Sequence, residues 1–590
     1  MLYAILAILA ALLVILHTGV LFKTFVHAKM GMAVSFFTGY ILLQAILSWQ
    51  SVFFAVNTTT LVVWLGLLIL LSFLKLKPLQ AIYGVWVRAI NPKSWGFIAV
   101  LFLVFGYALT AEITLYDTGL YHTQAIKWIQ EYAVVPGLGN IHGRFAFNSH
   151  FFIASALFTF ELSRAGESIL IYPLNAAIML VFLVWIFKLV QKYAVKADKM
   201  KTIAYSIVLL FCFFLYPTWL NSPSPDIISA VLVLFALVFV WEVEKWQSQN
   251  LFVLATVIFT AIVIKLSSAF LILLLIPAFI SLLKNTITEP FPLSNPDSYR
   301  EERGLGGEVL KEPSPSPYKR AGRQLSYLFL LAILILTPFF IRNYYLSGYL
   351  VYPTTAIDVF NVDWKIPAKI VEVEKLHIST WAKVPRIEDA KVAAMSPADW
   401  LPIWWQRKSM PFKLLLGVCL FSIFSFGLLI KQKKKTELWV LAIVWANLAF
   451  WFSSAPDPRF VHGFLIFSFA LGLATWLAVI MPAKILSPAV VPTTLILLAF
   501  SSVVIIREEP KDMFLKHGVL PKAVGENPLT HVDTPFPHVV PQGNNRCYNA
   551  ELPCLPEPDV FVMQRGTTFK YGFKTSNSQP LPIPIGILNN

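Results

Sequence analysis

Charge is what this chain has least of. Lys, Arg, Asp and Glu supply 13% of its 590 residues, against roughly 25% in soluble domains. Cysteine is also scarce, with four in all, and nothing joins Cys547 and Cys554 to complete a zinc set. The GxxxxGK[ST] phosphate loop is missing, as are a GxGxxG after a strand, HExxH and the G-x-S-x-G elbow. Those absences leave the common nucleotide, zinc-protease and serine-hydrolase chemistries without their parts. No internal repeat recurs at a fixed period.

What is present is apolar surface: 57% of residues are hydrophobic and the mean hydropathy is +0.68. Runs long enough to span a bilayer, about 20 residues with a lower limit near 17, recur along the chain. They fall near 2–22, 31–55, 59–75, 96–111, 168–190, 202–220, 226–242, 250–264, 267–283, 325–346, 411–430, 437–453, 460–480 and 486–506. The expected fold is therefore an all-α polytopic membrane protein of about fourteen helices, because backbone in lipid must satisfy its own hydrogen bonds. The first run lacks a basic n-region and an A-x-A site, and reads as a retained span. The organisation expected is N-terminal spans over 1–95, a membrane unit over 96–506 and a polar, proline-rich tail over 507–590. Segment 284–324 reads as a disordered cytoplasmic insertion, and 347–410 as an external loop with Trp400, Trp404 and Trp405 at the interface.

The net charge of +15 fixes orientation rather than binding nucleic acid. Lys23 and Lys29, then Lys75, Lys77, Arg88 and Lys93, then Lys192, Lys196, Lys199 and Lys201, then Lys431 and Lys433 to Lys435 all fall on one side if the spans alternate. That side is cytoplasmic by the positive-inside rule. Loop 111–150 and the tail then face outward. An oxidising exterior favours a Cys547–Cys554 disulfide. Segment 151–165 is short for a span and reads as an interfacial or re-entrant helix.

The informative polar residues share the outward face. Loop 111–150 carries Asp117, Tyr121, His122, Arg144 and Asn148. Leu120, Tyr121, Ala125, Trp128, Ile129 and Tyr132 line one helical face of 118–132, with Thr123, Gln124, Lys127, Gln130 and Glu131 opposite. That pattern predicts a helix lying along the outer leaflet. Asp117, at its start, is placed either as an N-cap or as a general base at a wet rim. Asp226 opens a span, where it either caps or serves a site. Lys265, Arg342 and Arg459 either snorkel or bind an anion. Asp457 stands two residues from Arg459. Cations and carboxylates meeting at one face point to a phosphate-bearing substrate.

The segments YDTGLYHTQAIKW, NIHGRFAFNSHFF, SPSPDIISA, VIKLSSAF, IRNYYLSGYLVYP and APDPRF resemble a bacterial branch of the GT-C superfamily of integral-membrane glycosyltransferases. The resemblance covers roughly 96–506 in scattered short motifs. It implies a polyprenyl-phosphate-sugar donor, inversion at the sugar and a catalytic aspartate in the first external loop, here Asp117. Tyr121, His122, Arg144, Asn148, Asp226, Lys265, Arg342, Asp457 and Arg459 are then the expected substrate contacts. The site would face the exterior of a bacterial inner membrane, with a glycan, lipid or protein acceptor. No residue set calls for a cofactor; a divalent metal is an open alternative. A polysaccharide polymerase or ligase, and a transporter or flippase of a lipid-linked saccharide, are the rival readings.

Overall fold

In the computed structural model the described residues are 1–164, 167–215, 219–288, 317–481, 497, 527–556 and 562–575. Helices dominate: α1 (Leu2–Phe25), α2 (Met32–Phe53), α3 (Thr58–Leu74), α4 (Leu76–Arg88), α5 (Pro92–Ala108), α6 (Thr123–Glu131) and α7 (His150–Leu157) come first. A hairpin, β1 (Phe160–Arg164) with β2 (Glu167–Ile171), separates them from α8 (Leu174–Val195), α9 (Lys199–Leu215), α10 (Pro225–Glu242), α11 (Ser248–Ile264) and α12 (Leu275–Thr288). Then follow α13 (Pro317–Ser347), α14 (Ala368–Lys383), α15 (Asp389–Ala394), α16 (Pro397–Arg407), α17 (Met410–Phe421), α18 (Ser425–Lys431), α19 (Lys435–Ser454) and α20 (His462–Ile480). Four short strands close the described chain: β3 (Leu529–Val532), β4 (His538–Pro541), β5 (Val562–Gln564) and β6 (Phe573–Thr575).

Among the described residues nine helices are long and apolar enough to cross a membrane, or ten if the bent pair α3–α4 counts as one span. The chain is thus a helical, multi-pass membrane protein. Every run expected from the sequence overlaps a helix except 486–506, which lies outside the described residues, apart from Leu497. Helices α5 and α11 are apolar and 17 residues long, at the lower limit for a span, and α3 turns by 97° into α4. Insertion 284–324 falls mostly outside the described residues; its flanks continue α12 and open α13.

Local signals explain the start of the helices that matter. Pro225 sits in the first turn of α10, and the Ser224 hydroxyl accepts from the Asp226 backbone N–H, the usual use of proline and serine at a helix start. Asp226 is therefore not the cap. Helix α10 buries Asp226 through Trp241 and forms the axis of the bundle. In contrast α3 buries Leu68 alone and turns leucine, valine and phenylalanine outward, a surface that only lipid covers at low cost. Helix α2 belongs to the central bundle: Gln44 donates to the His150 carbonyl (2.7 Å) and the Ser51 hydroxyl accepts from Arg342 (3.0 Å).

The two ends of the bundle differ in chemistry. At one end Glu242 takes Lys192 (2.8 Å) and Lys201 (2.9 Å), Gln249 reaches the Lys29 carbonyl, and Lys199 reaches the Met481 carbonyl. At the other end meet the start of α10, the end of α11 and the turn before α20. The basic clusters of the sequence that these bonds place thus gather opposite Asp117 and Asp226.

Two expectations need correction. Segment 151–165 is not one helix: α7 stops at Leu157 and the chain turns into β1 and β2. In the polar, proline-rich tail β3 pairs with β4 and β5 with β6, and β6 and the segment 547–550 bond to the first loop. Segment 118–132 is helical, as the period predicts, but its polar side meets the tail rather than open water. It opens with a wide π-helical turn, Thr118–His122, and runs into α6, with all of 118–131 buried except Lys127, Gln130 and Glu131. Its polar face is covered because Gln124 donates to the Tyr548 and Ala550 carbonyls (3.1 and 2.9 Å) and Lys127 to the Asn549 and Ala550 carbonyls (3.3 and 3.0 Å). Gln124 and Lys127 are thus satisfied by tail backbone rather than by water.

Candidate functional site

The first loop is fixed by backbone contacts with the tail. Gly137 and Gly572 both have positive φ, 65° and 89°. A Cβ on Gly572 would lie 1.9 Å from the Pro136 carbonyl oxygen, and one on Gly137 2.0 Å from that of Phe573. Only glycine permits this approach, which the Phe573 N–H bond to Pro136 (2.9 Å) then seals. Arg565 adds a bidentate pair to Asp363, both bonds 2.8 Å. The Cys547–Cys554 disulfide forms, with the Cα atoms 6.0 Å apart. It closes the segment that holds α6.

Beneath this cover lies a cavity of about 1100 Å³, at the upper end of ligand pockets. Asp117, Tyr121, His122, Arg144, Asp226, Lys265, Asp457 and Arg459 all line it. Residues more than 300 apart in sequence are thus brought to one wall. Asp117 takes Arg144 on Oδ1 (3.2 Å) and Arg459 on Oδ2 (3.1 Å). It makes no capping bond, so of the two roles open to it capping is removed. Lys265 pairs with Asp226 and lies 4.5 Å over the Phe460 ring. Asp457 accepts from the Arg459 backbone N–H (3.0 Å) and pairs with its Nε (3.4 Å). Isoleucines and phenylalanines from α11, α13 and α14 add apolar stretches to the wall.

Electrostatics follow from these partners. Burial pushes the Asp117 carboxyl up, but Arg144 and Arg459 outweigh it and hold it below the usual carboxylate value. Asp457 is held down in the same way by Arg459. Burial lowers His122 to about 4 and His142 to about 3, so both rings are neutral at pH 7. His122 turns to the Thr118 hydroxyl (3.5 Å) and packs on Tyr121 and Phe152; it does not orient Asp117. The Tyr121 ring stacks under the Arg144 guanidinium at 5.8 Å.

Two expected contacts lie elsewhere. Arg342 is 4% exposed and donates to Asn148 Oδ1 (3.0 Å) and to the Ser51 carbonyl and hydroxyl (3.2 and 3.0 Å). Asn148 returns to the Phe339 carbonyl and to Asn343. These residues tie α2, the first loop and α13 together behind the cavity wall. Arg342 does not line the large cavity, and its burial leaves a phosphate there no access to it.

The sequence reading missed Glu374 and Tyr352, which line the cavity. Its signal was available: Ile370, Val373, Glu374, His377, Ile378 and Trp381 recur at helical spacing, and this stripe of α14 faces the cavity. No cluster of three or more metal-ligating side chains occurs among the described residues.

A family described as a domain of unknown function, DUF8201, matches residues 1–294 and 316–466. The chain belongs to this family. The DUF8201 match contains Asp117, Arg144, Asp226, Lys265, Glu374, Asp457 and Arg459, and it stops before the disulfide-bonded tail. The unmatched gap falls within the polar insertion. No curated protein and no solved structure matches the chain.

Proposed function

We propose that this protein is a membrane glycosyltransferase that moves a sugar from a polyprenyl-phosphate donor to an acceptor at the outer face of a bacterial inner membrane, with a GT-C-like fold. The observation that carries the reading is Asp117 held between Arg144 and Arg459 on the wall of a large cavity that also has apolar stretches. A lipid phosphate has the charge and shape to replace carboxylates as the partner of these cations. Its hydrocarbon suits the apolar stretches.

In the proposed reaction, the acceptor oxygen forms a bond to the sugar C1 as the C1–O bond to phosphate breaks. Attack opposite the leaving group inverts C1. The electron pair of the broken bond goes to the phosphate oxygen, where Arg144, Arg459 and Lys265 stabilise the charge. The acceptor's proton passes to Asp117. In the unliganded ion pairs that carboxylate is a weak base. As the arginines turn to the donor phosphate, its proton affinity rises, which couples deprotonation to donor binding.

Two features support an outward orientation. The tail that carries the disulfide also walls the cavity through Gly543, Asn544 and Asn545, and disulfides persist in oxidising compartments. The basic clusters gather at the other end, as for a cytoplasmic side.

One observation favours a flippase: α11 stops at Lys265 and continues as a 3₁₀ stretch, Leu266–Leu274, before α12, and broken helices mark transporters. Cells lacking the protein separate the readings. Mass spectrometry of envelope glycans and lipid-linked sugars is expected to show a missing sugar, with its donor accumulating on the outer leaflet. Donor trapped on the inner leaflet would instead identify a flippase.

A further inference from the structure

We infer that Glu374 and Tyr352 form the acceptor subsite of this cavity, and that it takes a neutral, hydroxyl-rich group such as a sugar ring. The inference rests on the transferase reading above. The Tyr352 side chain is 2% exposed, yet its hydroxyl has no hydrogen-bond partner. Glu374 Oε1 is buried and also lacks a hydrogen bond. Its Arg144 ion pair, at 3.8 Å, is too long to count as one. Leaving such groups unpaired costs about 1–3 kcal/mol each, a cost that a bound ligand removes.

The Tyr352 hydroxyl and the Glu374 carboxylate both line the cavity beside Gly143. A Cβ on Gly143 would stand 2.9 Å from the Tyr352 hydroxyl and 3.2 Å from Glu374 Oε2. Glycine therefore lets the loop backbone pass close beside a donor and an acceptor. A sugar hydroxyl both accepts and donates, and fits that pair. A phosphate is repelled by Glu374, and a cation by Arg144. Farther along α14, Trp381 offers a ring to the cavity, and His377, held by Asp389 at 2.9 Å, stands beside it with ring centroids 5.8 Å apart. Arg144 touches both Asp117 and Glu374, so the acceptor pole adjoins the donor pole.

The test uses full-length purified protein, a polyprenyl-phosphoryl hexose as donor, and a titrated lipid extract of cells lacking the protein as acceptor source. Glu374→Gln, Tyr352→Phe and Gly143→Ala are each expected to raise the extract needed for half-maximal transfer by about tenfold, the equivalent of one lost polar interaction of about 1.4 kcal/mol. The donor KM should stay within about twofold, a split that general loosening of the fold does not produce. Gly143→Ala keeps both side chains and adds only a methyl that presses on them. Transfer with unchanged acceptor dependence in all three variants overturns the subsite alone. No transfer by the wild-type protein, with any acceptor in the extract, overturns the transferase reading and the subsite together.

Discussion

Each oxygen of Asp117 faces a guanidinium, while His122 and His142 sit neutral nearby. These groups respond to acid over different ranges. Asp117 is depressed below its ordinary 3.8, so its stabilising pairs are fully present above that value and are lost only as pH falls further. For His122, lowered from 6.5 to about 4, the unfolded chain binds the extra proton in between. Stability therefore falls as pH drops from 6.5 towards 4, by at most about 3 kcal/mol. Melting temperatures from pH 7 to pH 4.5 should decline in the wild type, and less steeply in His122→Gln. An equal decline in both would place the acid sensitivity elsewhere. Arg342→Ala is expected to act on folding, because it strands the Asn148 and Ser51 oxygens at a cost of about 1–3 kcal/mol each. Thermal melting should drop while the donor KM of the surviving protein stays near normal; a raised KM at wild-type stability would return Arg342 to the site. Asp117, Asp226, Lys265 and Arg459 were legible because charge stands out in apolar sequence. Arg342 looked the same, and sequence does not distinguish a buried cross-link from an anion site.

At the scale of elements, the tail and α6 act as one unit. The Cys547–Cys554 bridge encloses Tyr548, Asn549 and Ala550, whose carbonyls hold Gln124 and Lys127. Replacing both cysteines by serine should destabilise this clamp by about 2 kcal/mol, and hydrogen exchange at 118–131 should quicken. Protection unchanged from wild type would mean that the clamp does not need the bridge. The helical period of 118–132 was readable in the sequence. Its partner was not, because contacts across some 400 residues leave no local trace. The same holds for α14, whose cavity-facing stripe resembles any amphipathic surface helix until the cavity is known.

At the scale of the molecule, one end gathers lysines and the other gathers the ion-paired cavity and the disulfide. Cysteines introduced at exposed positions in 527–556 and in 347–410 should label from outside intact cells. Those placed at 431–435 should label only after the cytoplasmic side is opened. Reversed labelling would place the cavity on the cytoplasmic side and remove the lipid-linked donor argument. Hydropathy gave the approximate run of helices. Length alone does not show the bend between α3 and α4, which only the folded chain reveals.

Asp117 is proposed to accept the acceptor's proton while the cations around it hold the departing phosphate. Its most direct test is turnover of a polyprenyl-phosphoryl hexose by wild type and Asp117→Asn at equal amounts of folded protein. Asn keeps the side chain's size, and no helix cap is lost. The expected result is release of polyprenyl phosphate slowed by about 10²-fold or more in the variant, with melting changed little beside that loss. An Asp117→Asn protein that transfers sugar at the wild-type rate would contradict it.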